Sequence, residues 1–349
     1  MIVALDAQLA VGTATGIGVY QRDLAAALAV NGVDVRPLQA PGLDPWRFDR
    51  RVLWDQLLLP LAAARSGADV LHASAGTMPL LATMPPLRRM PVVVTVHDLA
   101  WLRVQTHTRP YARAYFGALQ RRLYRRAAAV MCDSAFSAAE YHELVDPGAH
   151  VHVAYPGVDA RFAAVRRDPD RDAPFALVVG TVERRKNLGV LVEALPHVPG
   201  LRIVSVGPFT PYADEVRARA AALGVADRVE LRGYVAADAL DDLYTRATSA
   251  LIPSRYEGFG YALADAMCAG LPAIAARSSS LIEVAGADVP LVDADDVTGW
   301  TDAIRALFGD RERAQRDAET RRAAAAARFS WNSCARAVAA VYGGVPTRG

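Results

Sequence analysis

Short apolar runs recur along this chain, and between them the apolar positions repeat at helical spacing. The runs cover residues 2–5, 33–38, 70–72, 92–96, 129–132 and 151–154, then 175–179, 202–206, 228–231, 250–252, 273–275 and 289–292. They are continuous rather than alternating. Strands of that kind are buried on both faces, which requires parallel sheets with helices on each side. The pattern predicts an α/β chain built from two parallel sheets. Residues 163–174, rich in Arg, Asp and Pro, separate the two sets of runs and read as a linker. A length of 349 residues suits two domains of ordinary size. Alanine-rich stretches such as residues 321–328 read as good helix formers and nothing more.

In open parallel sheets, ligands bind where strands end and helices begin, and two such turns stand out. Residues 11–20 follow the first run and precede a helical pattern with Leu24, Ala27 and Leu28 on one face. Gly16 and Gly18 permit close backbone approach there, and a helix start offers N–H groups to an anion. An ordinary tight turn is the alternative. The turn lacks the third glycine of the dinucleotide fingerprint, and no Gly-Lys-Ser/Thr phosphate loop occurs in the chain. The second turn spans residues 252–272. It carries Glu257 on a loop, then Gly258 and Gly260, then a helix whose apolar face is Ala262, Leu263, Ala266 and Met267. Asp265 lies in the second turn of that helix, and Gly270 with Pro272 stops it. A helix start holds phosphate, and a flanking carboxylate accepts paired sugar hydroxyls.

Charge then narrows the chemistry. Of 39 basic residues, 38 are arginine; the single lysine is Lys186, in Gly-Thr-Val-Glu-Arg-Arg-Lys-Asn after the run at 175–179. Lysine is a compact point charge where arginine is a wide fork, so a lone lysine at a strand-to-helix turn is a candidate phosphate cation. A solvated surface lysine is the plain alternative. Net charge is +2 and neither half is strongly basic, which excludes a nucleic-acid surface. Residues 103–126 hold seven arginines and no acid, around an apolar stripe of Ala112, Phe116, Leu119, Leu123 and Ala127. That is either a packed helix with a solvated basic face or a peripheral contact with an anionic acceptor or membrane surface. Cys132, Cys268 and Cys334 show no disulfide or metal spacing, which suits a reducing cytoplasm. Met1 to Asp6 reads as a first strand rather than a signal peptide, and no run is long enough to span a membrane. The expected location is cytoplasmic, with peripheral contact at the inner membrane face. Asp293-Ala-Asp-Asp296 reads as a helix-capping loop, not a metal motif.

Glu257-x7-Asp265 resembles the Glu-x7-Glu signature of glycosyltransferase family 4, with Asp in place of the second Glu. Other blocks match that family in order: Thr15-Gly-Ile-Gly-Val-Tyr20, Val94-Thr-Val-His-Asp-Leu99, Asp133-Ser134, Pro156-Gly-Val-Asp159, Gly180 to Asn187, Gly233-Tyr-Val235 with Leu243-Tyr244, and Phe329-Ser-Trp331. The resemblance implies a retaining enzyme of GT-B fold: two Rossmann-like parallel-sheet domains facing each other across a cleft. The first would be an acceptor domain over residues 1–162, rejoined by a final helix at 331–349. The second would be a nucleotide-sugar domain over residues 173–330. On this resemblance Glu257 binds hydroxyls of the donor sugar. Lys186, with Arg185, neutralises the diphosphate, and His97 reaches the sugar near its reacting face. Gly16 or Gly18 approaches a phosphate. Gly233 and Tyr234 belong to the base-binding loop. Backbone N–H groups around Phe259, Gly260, Tyr261 and Ala262 hold sugar and phosphate, and Asp265 faces the ribose. Glu183 and Glu283 are candidates for supporting roles.

The expected partners are a nucleoside-diphosphate-sugar donor and a glycan or lipid-linked acceptor, with no metal and no further cofactor. The variant blocks resemble those of bacterial mannosyltransferases, so GDP-mannose is the first donor considered; UDP-sugars and dTDP-rhamnose stay open. Two other readings remain at this point. One is a non-catalytic nucleotide-sugar binder, weakened by Asp265. The other is a pyridoxal-phosphate enzyme using Lys186 as its Schiff-base lysine.

Overall fold

A computed structural model describes residues 1–11, 16–103, 114–171 and 173–346. Each of the twelve apolar runs forms a strand. They are β1 (Ile2–Asp6), β2 (Asp34–Leu38), β3 (Val70–Ala73), β4 (Val92–Val96), β5 (Ala129–Cys132) and β6 (Val151–Val153), then β7 (Phe175–Val179), β8 (Arg202–Val206), β9 (Val229–Leu231), β10 (Ser249–Ile252), β11 (Ala273–Ala276) and β12 (Leu291–Val292). Strands β1–β6 make one parallel sheet, ordered β2-β1-β3-β4-β5-β6. Strands β7–β12 make a second, ordered β12-β11-β10-β7-β8-β9, also parallel throughout. Central strands such as β4, all valine and threonine, are buried on both faces. Edge strand β2 is exposed and tolerates Pro37, which has no N–H for a second neighbour.

The chain divides into two compact units, residues 1–157 with 330–349, and residues 158–329. In the first unit, helix Trp331–Gly344 buries Cys334, Ala335, Val338, Val341 and Tyr342 beside Tyr20, Leu24 and Leu28 of helix Gly16–Val30, against Val3, Leu5, Val93 and Met131. A buried polar chain ties that returning helix to the sheet. His72 Nδ1 lies 2.6 Å from the Tyr342 hydroxyl and its Nε2 lies 2.7 Å from Thr95 Oγ1. Burial, assisted by the positive charge of His97, pushes the His72 pKa down to about 3, so the ring is neutral.

The boundary falls at residues 157 and 158, not across 163–174. Helix Ala160–Ala164 and the segment after it are part of the second unit. The supposed linker is tied down there. Arg167 donates to the carbonyls of Tyr244, Thr245 and Ala247, and the Asp168 N–H donates to the Thr245 carbonyl at 2.9 Å. Its polar composition reflects hydrogen bonding to exposed helix-end carbonyls rather than freedom.

Replacing Tyr342 with Phe leaves a buried imidazole nitrogen without its partner, a loss of about 1–3 kcal/mol. We expect Tyr342→Phe to lower the melting midpoint by several degrees in calorimetry. A midpoint equal to wild type would show that the His72 contact contributes nothing.

Candidate active site

The second unit has the doubly wound order in which the chain reverses direction between β7 and β10. Ligands bind outside the carboxyl ends of strands at such a reversal. The loops after these two strands carry Lys186 and Glu257. Glu257 is buried, and its carboxylate takes Lys186 Nζ at 2.5 Å on Oε1 and Arg185 Nη1 at 3.1 Å on Oε2. Burial pushes the acid up, but Lys186 and then Arg185 outweigh it and hold Glu257 below the usual carboxylate range. Arg185 is itself braced by the Tyr256 carbonyl at 2.7 Å and by Glu183 at 2.7 Å. Glu183, a candidate for a supporting role, thus contacts Arg185. Glu283 shows a different link: its backbone carbonyl accepts from Arg328 at 2.6 Å.

Glycines clear the path for Lys186. A Cβ on Gly180 would sit 3.3 Å from the Lys186 Cε, and one on Gly207 would sit 2.1 Å from the Gly180 carbonyl oxygen. Both have positive φ, at 140° and 147°. Behind Lys186, Asn187 takes a left-handed conformation (φ 56°), and its Nδ2 donates to the Ala294 carbonyl at 2.6 Å.

Glu257 is held from the other side by consecutive serines that sequence reading passed over. The Glu257 N–H donates to Ser279 Oγ at 2.8 Å, Ser280 Oγ donates to the Glu257 carbonyl at 2.9 Å, and Ser278 Oγ donates to the Ser254 carbonyl at 2.6 Å. Ser279 has φ 45°, a strained value for a residue with a side chain. A three-serine run after a strand is the only signal the sequence carried, and it is indistinguishable from an ordinary loop.

Gly260 caps helix Tyr261–Cys268 at φ 100°, where a Cβ would meet Leu281 at 2.7 Å. A helix start presents N–H groups, here near Tyr261 and Ala262, of the kind that can serve an anion. The Phe259 side chain is buried against Tyr261 and Phe329, so only its backbone can face a ligand. Gly233, at φ 69°, packs beside Phe209 after β9, and Tyr234 is exposed. Burial pushes the Asp265 pKa up to about 8; Arg161 opposes this and Asp159 adds to it. Asp296 caps helix Val297–Gly309, accepting the Gly299 N–H at 2.9 Å, as the capping-loop reading expected.

In the first unit, His97 follows β4 with both ring nitrogens occupied. Nδ1 lies 2.6 Å from Asp133 Oδ2, and Nε2 lies 2.8 Å from the Ser74 carbonyl oxygen. A carbonyl only accepts, so Nε2 carries a hydrogen. Burial works against its charge, but Asp133 outweighs burial and makes His97 more basic than a free imidazole. Both ring nitrogens are thus engaged by groups of the first unit itself. Gly18 has a structural reason: a Cβ there would lie 2.2 Å from the Leu9 carbonyl oxygen. That close approach is to the chain's own backbone, so Gly18 has a packing reason independent of any phosphate. Gly16 starts its helix and is exposed; Thr15 and residues 12–14 lie outside the described residues.

Residues 14–162 match the family described as Glycosyltransferase Family 4, and residues 162–324 match Glycosyl transferases group 1. The chain belongs to this glycosyltransferase family, and its two six-stranded parallel units have the GT-B architecture. The D-inositol 3-phosphate glycosyltransferase of Xylanimonas cellulosilytica is 36% identical over 212 residues, 55% of this chain and 51% of that protein. The MMP alpha-(1->4)-mannosyltransferase of Mycolicibacterium hassiacum is 28% identical over 301 residues, 81% and 72% of the two chains. The chain thus spans about half the length of the first curated relatives it matches. In fold it is similar to Anabaena Alr3699/HepE, solved with UDP-glucose, at a TM-score of 0.74 and 17% identity over 99% of this chain and 100% of that one.

Two stability tests follow from this geometry. Ser279→Ala removes the acceptor of a part-buried N–H and keeps the strain, a loss of about 1–3 kcal/mol. Ser279→Gly loses the same acceptor but relieves the positive φ, so denaturant midpoints should rank wild type, then Ser279→Gly, then Ser279→Ala. The reverse order of the two variants would remove strain from the account. Asp265 loses its proton near pH 4 when unfolded but near 8 when folded, so stability falls as pH rises between those values. Asp265→Asn cannot ionise, and its melting midpoint should gain on wild type steadily from pH 5 to pH 8. Parallel curves would show that Asp265 is not held neutral.

Proposed function

We propose that this chain is a retaining glycosyltransferase that moves a hexose from a nucleoside-diphosphate sugar to a glycan or lipid-linked acceptor without a metal. The observation that carries this reading is the Lys186–Glu257–Arg185 cluster at the carboxyl ends of β7 and β10. Cleaving the bond from the anomeric carbon to the diphosphate oxygen leaves an oxocarbenium-like carbon and a growing negative charge. Preorganised donors stabilise that charge most when they are fixed before the reaction. Lys186 and Arg185 are fixed by Glu257, and the start of helix Tyr261–Cys268 adds N–H groups. Glu257 holds sugar hydroxyls. The acceptor oxygen bonds to the anomeric carbon on the face the diphosphate leaves, and its proton passes to the departing phosphate oxygen. A glycosidase-like carboxylate pair is not needed for that route.

GDP-mannose is our first donor, supported by the mannosyltransferase name of the Mycolicibacterium relative. The UDP-glucose complex of the Anabaena protein supports a nucleoside-diphosphate sugar more broadly. A Schiff base through Lys186 is disfavoured, because that route needs a neutral amine and this one is ion-paired with a buried carboxylate. A non-catalytic nucleotide-sugar binder stands as the second reading, favoured by Asp265 where the family signature has Glu.

Peripheral membrane contact through residues 103–126 has narrower support than the sequence suggested. Arg103 pairs with Glu140 and Glu143, Arg125 donates to the Val145 carbonyl, and residues 104–113, including Ala112, lie outside the described residues. Phe116 and Leu123 pack inward, and among the described residues Arg121, Arg122 and Arg126 are exposed arginines outside those contacts. No described helix is long and apolar enough to cross a membrane.

A thermal-shift screen of GDP, UDP, dTDP and their sugars tests the donor, since a ligand of the folded state raises the melting point. We expect a shift of several degrees with at least one, and about a 10²–10³-fold loss of transfer in Lys186→Ala. A shift without donor hydrolysis or transfer to any acceptor extract would favour the binder. No shift with any nucleotide would sink the donor assignment.

A further inference from the structure

At the amino ends of β4 and β5 the first unit has a pocket of about 490 Å³, on the opposite edge of the sheet from His97 and Ser74. Its polar lining comes from Thr83, Arg88, Arg89 and Arg126, over an apolar floor that includes Met78 and Met90. Arg126 Nη1 donates to Thr83 Oγ1 at 3.3 Å, which directs that guanidinium toward the loop carrying the other two. Arg88 and Arg89 sit in the turn Leu87–Arg89, fastened by the Arg88 N–H to the Met84 carbonyl at 2.8 Å. All three side chains belong to exposed residues, and no carboxylate lines the pocket. None of the three forms an ion pair with a described residue, although arginines elsewhere in the chain pair repeatedly, as Arg51 does with Asp55 and Arg219 with Glu193.

Three like charges around one cavity repel one another, and an anion seated among them relieves that repulsion. Guanidinium forks match phosphate oxygens in pairs, and three cations suit a dianion better than one carboxylate. The apolar floor suits a ligand whose phosphate continues into a carbon stem. We propose that Arg88, Arg89 and Arg126 form a second anion site, which takes a phosphate ester and works apart from Lys186 and Glu257. The ester is either a soluble phosphate monoester or the headgroup of an anionic phospholipid.

The test uses the full chain and the triple variant Arg88→Gln, Arg89→Gln, Arg126→Gln. Glycerol 3-phosphate is titrated by calorimetry, and flotation is measured with phosphatidylcholine vesicles with and without phosphatidylglycerol. Lys186→Ala is run beside them, so that failure of the proposed donor site is read separately. We expect wild type and Lys186→Ala to bind one probe alike, and the triple variant to bind it about tenfold or more weakly. Binding of the soluble ester assigns a soluble ligand; flotation confined to phosphatidylglycerol vesicles assigns a lipid headgroup. Equal binding by wild type and a folded triple variant, or binding of neither probe by wild type, overturns the proposal. Should the triple variant not fold, Arg88→Gln alone must still weaken binding measurably, and an unchanged value overturns the proposal.

Discussion

The second unit is organised around one buried carboxylate. Glu257 sits out of water, where an unpaired charge would cost several kcal/mol, and the ammonium of Lys186 with the guanidinium of Arg185 offsets that cost. The same contacts fix both cations at the chain reversal between β7 and β10 before any ligand arrives. Losing one member would leave the others buried and mismatched, so the three act as a unit. The single lysine of the chain fits this position for a geometric reason. A narrow stem passes over Gly180, within 3.3 Å of where a Cβ would be, and a planar fork would not follow that path.

Holding that cluster requires strained backbone on both sides. Among the described residues only Asn187 and Ser279 are non-glycine residues with positive φ, and they flank Lys186 and Glu257 respectively. Each is compensated by side-chain hydrogen bonds: Asn187 to the Ala294 carbonyl, Ser279 to the Glu257 N–H. No other described non-glycine residue has a positive φ, so this kind of strain is confined to the two ends of one ion cluster.

The first unit places its buried polar groups differently. Two histidines lie near each other in opposite states: His72 neutral in a chain of hydroxyls, His97 made basic by Asp133. The first ties helix Trp331–Gly344 to β3 and β4, so residues from both ends of the chain share one core. The second fills the end of β4 with a ring whose nitrogens are satisfied internally, and this gives the His-Asp strand end a structural role of its own.

Sequence alone located the twelve strands: the central ones are apolar runs buried on both faces, and the exposed or half-buried edge strands were legible from their place in the same alternation of run and helix. It also located Glu257, Gly260 and Lys186, since a glycine turn between strand and helix is a local feature. Only the tertiary structure decided which groups meet. Lys186 and Glu257 are 71 residues apart, and His97 and Asp133 are 36 apart. No local pattern encodes those pairings, nor the serines behind Glu257, the anchoring of residues 163–171, or the gathering of Arg88 and Arg89 with Arg126. Gly18 shows the limit most clearly. A glycine needed for close approach is legible in a sequence, but what approaches it — here the Leu9 carbonyl — depends on how the chain folds back.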